Sequence, residues 1–154
     1  MDAKHYTLRS EAAARIPKHV GAANYAPVLY SGMTVFNSIS HMDGMPRETV
    51  VIQGLGGFGR FAIQTANRMD YRTIAISRGS KEKFVWKLGA YEYIDATKGN
   101  VASALREFSG ASLGVVTALT ADSISPLIKG LDILGVPSKL FINTVVMFKH
   151  GISV

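Results

Sequence analysis

From Thr49 onward the chain alternates short apolar runs with amphipathic stretches of helical length. Thr49-Val50-Val51-Ile52-Gln53 is β-branched and nearly continuous, the pattern of a strand buried on both faces. Gly54-Leu55-Gly56-Gly57 breaks that run. Phe58, Phe61, Ala62, Ala66 and Met69 then recur at helical spacing, which predicts one stripe facing the sheet. Thr73 to Ile76 predicts a second strand, Lys81 to Leu88 a short helix ending at Gly89, and Tyr91 to Ile94 a third strand. Val101 to Phe108 reads as a helix halted by Ser109-Gly110, and Leu113 to Thr117 as a fourth strand weakened by Gly114. Ile124 to Leu131 is helical, either broken at Pro126 or starting near it. Lys139 to Val146 is again apolar and β-branched, and Gly151 to Val154 could begin a last strand. Strands alternating with helices of ~10 residues imply right-handed βαβ units on a parallel sheet. The predicted class is α/β, a doubly wound parallel sheet.

Residues 1–46 break this rhythm. Pro17 and Pro27 punctuate a stretch with little alternation, followed by a predicted helix from Pro27 to Met42. We divide the chain into a lead-in, residues 1–46, and an α/β domain, residues 47–154.

Composition narrows the chemistry. At 154 residues there is room for about one domain, and 47% hydrophobic against 18% charged residues excludes a disordered or collagen-like chain. The absence of cysteine excludes disulfides, Cys-ligated zinc, iron–sulfur clusters and thiol nucleophiles. No run reaches the ~18–20 apolar residues of a membrane helix, and Met1-Asp2-Ala3-Lys4-His5 lacks the apolar core of a secretory signal. No membrane partner and a cytoplasmic setting are therefore expected. A net charge of +6 favours anionic partners, either nucleic acid or a phosphorylated cofactor. The basic residues form no single stripe, and no helix-turn-helix, zinc-finger or RNA-stacking signature accompanies them, so nucleic acid is not expected.

The glycine run favours the cofactor. Gly54-Leu55-Gly56-Gly57-Phe58-Gly59 fits G-x-G-x-x-G directly after a predicted strand and at the start of a predicted helix, the context that makes the pattern informative. Gly54 permits the tight turn, Gly56 lets a pyrophosphate approach the backbone, and Gly59 lets the helix pack close to the strand. The helix start offers unpaired N–H groups and the positive end of its dipole. A nicotinamide dinucleotide is the expected partner. An NAD site carries an acid about 20 residues further on, for the ribose hydroxyls. Ser77-Arg78-Gly79-Ser80-Lys81 occupies that point without one. A guanidinium can grip a 2′-phosphate that a carboxylate would repel, with Ser77, Ser80 and Lys81 adding donors and charge. NADP(H) is favoured over NAD(H), the alternative being that Arg78 and the lysines form an exposed turn and helix face.

The ordered set Ala26-Pro27-Val28-Leu29-Tyr30-Ser31-Gly32-Met33-Thr34-Val35-Phe36, Gln53 to Gly59, and Lys87-Leu88-Gly89-Ala90-Tyr91-Glu92-Tyr93-Ile94-Asp95 resembles the zinc-type alcohol dehydrogenases of the medium-chain dehydrogenase/reductase family. The resemblance implies a Rossmann-type cofactor domain in the second half of a chain roughly twice this length. It places Thr34 and the Thr117-Ala118 turn near the nicotinamide, and implies hydride transfer between an alcohol or aldehyde and NADP(H).

Three departures qualify this. Only about the first 25 residues could derive from the catalytic domain, so the chain is expected to be a truncated, inactive cofactor-binding part. The family motif A-P-x-L-C-A-G-x-T carries a zinc-ligand cysteine where Tyr30 stands here, and no residues match a three-ligand zinc site. Tyr30 is expected to be a packing residue, and His5, His19, His41 and His150 surface or packing residues, so neither metal ligands nor catalytic residues are assigned. Third, Val136 to Thr144 resembles the segment after the family's fifth strand, which would leave the fifth and sixth strands incomplete; alternatively Lys139 to Val146 is the fifth strand. A non-catalytic NADP(H)-binding pseudoenzyme or interaction protein is the competing reading. Self-association or aggregation through the free edge of Gly151 to Val154, which the resemblance implies could pair as a homodimer, is expected of the chain alone.

Overall fold

A computed structural model describes residues 7, 9, 11, 13–117, 124–131 and 139–142. Five parallel strands, β1 (Thr49–Gln53), β2 (Arg72–Ser77), β3 (Glu92–Asp95), β4 (Leu113–Val116) and β5 (Lys139–Ile142), form one sheet in the order β3-β2-β1-β4-β5. Val50, Val51 and Ile52 are fully buried on both sides of β1, as the unbroken apolar run predicts for a central strand.

Helices cover both faces. On one, α3 (Gly57–Arg68) and α4 (Glu82–Lys87) pack with Val50, Ile52, Ala75 and Val115; on the other, α5 (Val101–Glu107) and α6 (Ile124–Leu131) pack with Val51, Ile74, Ile76 and Val116. This is the doubly wound, Rossmann-type architecture. Lys139–Ile142 pairs in parallel with β4, Leu113 opposite Lys139 and Val116 opposite Ile142, so a fifth strand is present. Residues 143–154, with the candidate sixth strand and dimer edge at Gly151 to Val154, lie outside the described residues, as does Ala118.

Two helices depart from expectation, and a third decides between two alternatives. The stripe of α3 centres on Gly59, Ala62, Ile63 and Ala66, all buried, while Phe58, Phe61 and Met69 pack only partly against the core. The bulky residues flank the stripe because small ones occupy the line of closest approach to the sheet. Pro126 does not break α6; it is the third residue of that helix, within the first turn, where a missing N–H costs no intrahelical bond. The first helix begins before Pro27, as α1 (Ala22–Pro27), widens into a π-turn over Val28–Gly32 and resumes as α2 (Met33–Ser40). A proline inside a helix removes a donor, and a widened turn is one way for the chain to continue past it.

Val35 and Ile39 of α2, with Met42, are buried in the same cluster as β1 and α3. That contact fixes the π-turn against the start of α3. Ile39→Ala is expected to lower unfolding stability by about 2–5 kcal/mol, the usual cost of truncating a fully buried aliphatic side chain. Urea denaturation measures it; a loss below about 0.5 kcal/mol would show α2 to be peripheral.

Candidate functional site

Because all five strands are parallel, their carboxyl ends share one edge of the sheet. Strand order reverses between β1 and β4, whose neighbours β2 and β5 lie on opposite sides. A crevice opens at such a reversal, outside the carboxyl ends of the two strands. The turn after β1 (Gly54, Leu55, Gly56) and the residue after β4 (Thr117) flank it.

The turn is fixed by main-chain geometry. Gly54 has φ of 101°, the left-handed region that side chains resist, and its amide donates to the Ile76 carbonyl of β2 at 2.9 Å. At Gly59 an added Cβ would overlap the Gly54 carbonyl oxygen and lie 2.8 Å from its carbon, with Thr117 Oγ1 at 3.4 Å. Thr117 itself is tied to the end of β1, its amide and hydroxyl donating to the Gln53 carbonyl at 2.8 and 3.1 Å.

Gly56 differs: a Cβ there would meet nothing within 4 Å among the described residues. It is also the N-cap of α3, and no side chain caps that helix. At α5, by contrast, Asn100 Oδ1 accepts from the amides of Ala102 at 2.8 Å and Ser103 at 3.4 Å. The α3 start, including Gly57 and Phe58, thus combines main-chain donors, a positive dipole end and open space at Gly56, which suit a diphosphate.

The π-turn supplies the wall opposite. Ser31 Oγ lies 3.9 Å from where a Gly57 Cβ would stand. Tyr30 meets Phe58 edge-to-face, with ring centroids 5.4 Å apart and planes at 62°. Tyr30 is 70% exposed, so its packing is with Phe58 at the surface rather than in the core. Thr34 sits one turn further on, its hydroxyl donating to the Tyr30 carbonyl at 2.6 Å. Ser31, to which the sequence reading assigned no role, is the π-turn residue beside Gly57.

The second group of candidate residues forms the turn after β2. Arg78, Ser80 and Lys81 are exposed and Ser77 half-buried. Two residues from the end of β3 brace this turn from beneath. Asp95 Oδ1 accepts from the amides of Gly79 at 2.9 Å and Thr97 at 3.0 Å, and from the Thr97 hydroxyl at 2.7 Å. The Tyr93 hydroxyl donates to the Ser77 carbonyl at 3.2 Å and to that of Gly79. Burial pushes the Tyr93 phenol above its ordinary 10.0, keeping the proton that both bonds require. The carboxylate touching the turn is therefore engaged by the Gly79 and Thr97 donors, while the Arg78 side chain is exposed. The sequence motif Gly89 to Asp95 contains both braces, but nothing in its spacing says that they reach back to Ser77 and Gly79.

No protein-family model matches the chain. Over 145 residues, 94% of the chain, it is 54% identical to the alcohol dehydrogenase patD of Aspergillus clavatus. The chain belongs to the alcohol dehydrogenase family. It spans 37% of that relative's length. Among solved structures, benzyl alcohol dehydrogenase from Acinetobacter calcoaceticus matches 90% of this chain and 39% of its own, with a TM-score of 0.79 at 17% identity. The mycobacterial protein Rv1454c complexed with NADPH matches 77% of this chain and 38% of its own, with a TM-score of 0.63 at 21% identity. At these identities the structural likenesses concern the fold, and it is the fold of this alcohol dehydrogenase family member's sheet.

No cysteine occurs in the chain, and among the described residues no three His, Cys, Asp or Glu side chains gather where they could hold a metal ion.

Asp95 should titrate visibly through the turn. Hydrogen bonds from Thr97, its amide first and then its hydroxyl, hold the Asp95 carboxyl below its ordinary 3.8. A depressed native value means its contribution to the turn is complete above about pH 4 and is lost as pH falls through the native value. The Gly79 amide resonance, followed by NMR, should shift with a midpoint below 3.8; a midpoint at or above it would contradict the brace.

Proposed function

We propose that this chain binds NADP(H) along the carboxyl edge of its sheet, as the cofactor-binding part of an alcohol dehydrogenase-like oxidoreductase. The observation that carries this is Gly56, open to a ligand at the uncapped start of a helix that Gly59 holds hard against Gly54. The α3 amides would receive the pyrophosphate, and Thr117, Ser31 and Thr34 would line the path toward the nicotinamide end. When bound, the nicotinamide supplies or accepts hydride.

Preference for the 2′-phosphorylated cofactor is supported by the β2 turn. Ser77, Arg78, Ser80 and Lys81 offer hydroxyls and positive charge, and Asp95 is occupied by three hydrogen bonds rather than presented to a ribose. The neighbour complexed with NADPH is consistent with that choice.

A second reading, a non-catalytic NADP(H)-binding protein, is favoured by the donor set around Tyr30. A phenol oxygen is not the soft donor that a thiolate sulfur offers zinc. Turnover of an aldehyde panel with NADPH, with and without added zinc, separates the two readings. The described residues contain no helix long and apolar enough to cross a membrane, and a cytoplasmic setting remains our proposal.

Arg78→Ala is expected to weaken NADPH binding by about 1–3 kcal/mol, the range for losing a charge-assisted hydrogen bond, and to leave NADH binding nearly unchanged. Fluorescence titration with both cofactors measures it. Equal losses for the two would remove the specificity reading.

A further inference from the structure

Two arginines in the described structure lie over aromatic rings, and they lie at opposite edges of the sheet. The Arg72 guanidinium is 4.0 Å from the centroid of Tyr91, where β2 begins and just before β3. The Arg60 guanidinium is 5.0 Å from the centroid of Phe84, linking the first turn of α3 to the first turn of α4. Arg60 follows Gly59 directly, and its amide donates to the Gly56 carbonyl at 3.1 Å. The Phe84 amide donates to the Lys81 carbonyl at 3.0 Å, so the start of α4 that carries this ring follows directly on the Ser77–Lys81 turn. Arg60 therefore links the glycine turn to the helix that the β2 turn leads into.

We propose that Arg60, stacked on Phe84, is a second guanidinium that grips the 2′-phosphate of NADP(H) and sets cofactor preference together with Arg78. The inference rests on the reading of Ser77–Lys81 as the 2′-phosphate turn. A guanidinium that lies with its face over a ring keeps its edge N–H groups free, because cation–π attraction uses the plane and hydrogen bonds use the rim. Phe84 thus restrains a long side chain without consuming its donors, which reduces the ordering cost of gripping an anion. Among the described residues no carboxylate pairs with Arg60, and its side chain is exposed. Arg78 and Arg60 approach from different elements, one from the β2 turn and one from α3. Lys81 lies between Arg78 and Phe84 in the sequence. A dianionic phosphate that meets two planar forks can be held through more than one oxygen.

The test uses the full 154-residue chain and dissociation constants for NADPH and NADH. Arg60→Ala should raise the NADPH constant about tenfold while the NADH constant stays within about twofold. Arg60→Lys, which keeps the charge but loses the planar fork, should fall between wild type and Ala. Phe84→Leu, which keeps Arg60 but removes its platform, should raise the NADPH constant by about threefold without changing that for NADH. Arg72→Ala, the stacked arginine at the far edge, should leave the ratio of the two constants unchanged. Equal effects of Arg60→Ala on both cofactors, or no effect on either while Arg78→Ala selectively weakens NADPH, would overturn the role of Arg60 and leave the β2 turn intact. If Arg78→Ala is also without selective effect, the phosphate-turn reading falls, and the inference falls with it.

Discussion

The arrangement turns on one close contact between backbones. Gly59 approaches the Gly54 carbonyl so nearly that no side chain fits between them, and this sets where α3 begins relative to β1. A helix so anchored has its first amides at the carboxyl edge of the sheet, beside the reversal of strand order. Thr117 locks the far side of the same crevice by bonding twice to the Gln53 carbonyl. The π-turn of residues 28–32 then brings Ser31 and Tyr30 against the helix start, held there by Val35 and Ile39 in the core. Each contact fixes a position around the space left open at Gly56.

The second turn, after β2, is built by a different means. Arg78, Ser80 and Lys81 are exposed, Gly79 alone in the turn has a positive φ, and the shape comes from below, through Asp95 and Tyr93. That division separates positioning from recognition. The groups that hold the turn belong to β3, leaving Arg78, Ser80 and Lys81 on the surface for a ligand. An acidic residue at the end of β3 therefore does not argue for a ribose contact of the NAD type. Its Oδ1 already accepts three hydrogen bonds from Gly79 and Thr97.

Most of the fold was legible from local pattern. The β-branched run 49–53, the glycine turn and the helix over 124–131 need only neighbours in sequence, and they stand where the pattern predicts. Placement of Gly54, Gly56 and Gly59 was legible for the same reason. What the pattern could not carry were contacts between distant segments. Asp95 meets Gly79 sixteen residues away, and Thr117 meets Gln53 sixty-four residues away; neither is implied by periodicity. The π-turn was hidden because Pro27 reads as a helix start, yet tertiary packing continues the helix across it. Ile63 was missed as a core residue because the large aromatics on α3 drew the stripe toward themselves, whereas close packing favours the smaller side. The alternative for residues 139–142 was open in sequence and is decided by their pairing with β4.

Gly56 separates folding from binding more cleanly than any other position. A Cβ there meets nothing within 4 Å among the described residues, so Gly56→Val should leave the thermal midpoint within about 2 °C of wild type. If the open space is where a diphosphate contacts bare backbone, the same change should abolish the heat of NADPH binding in a calorimetric titration. Undiminished binding by a correctly folded Gly56→Val chain would contradict the account.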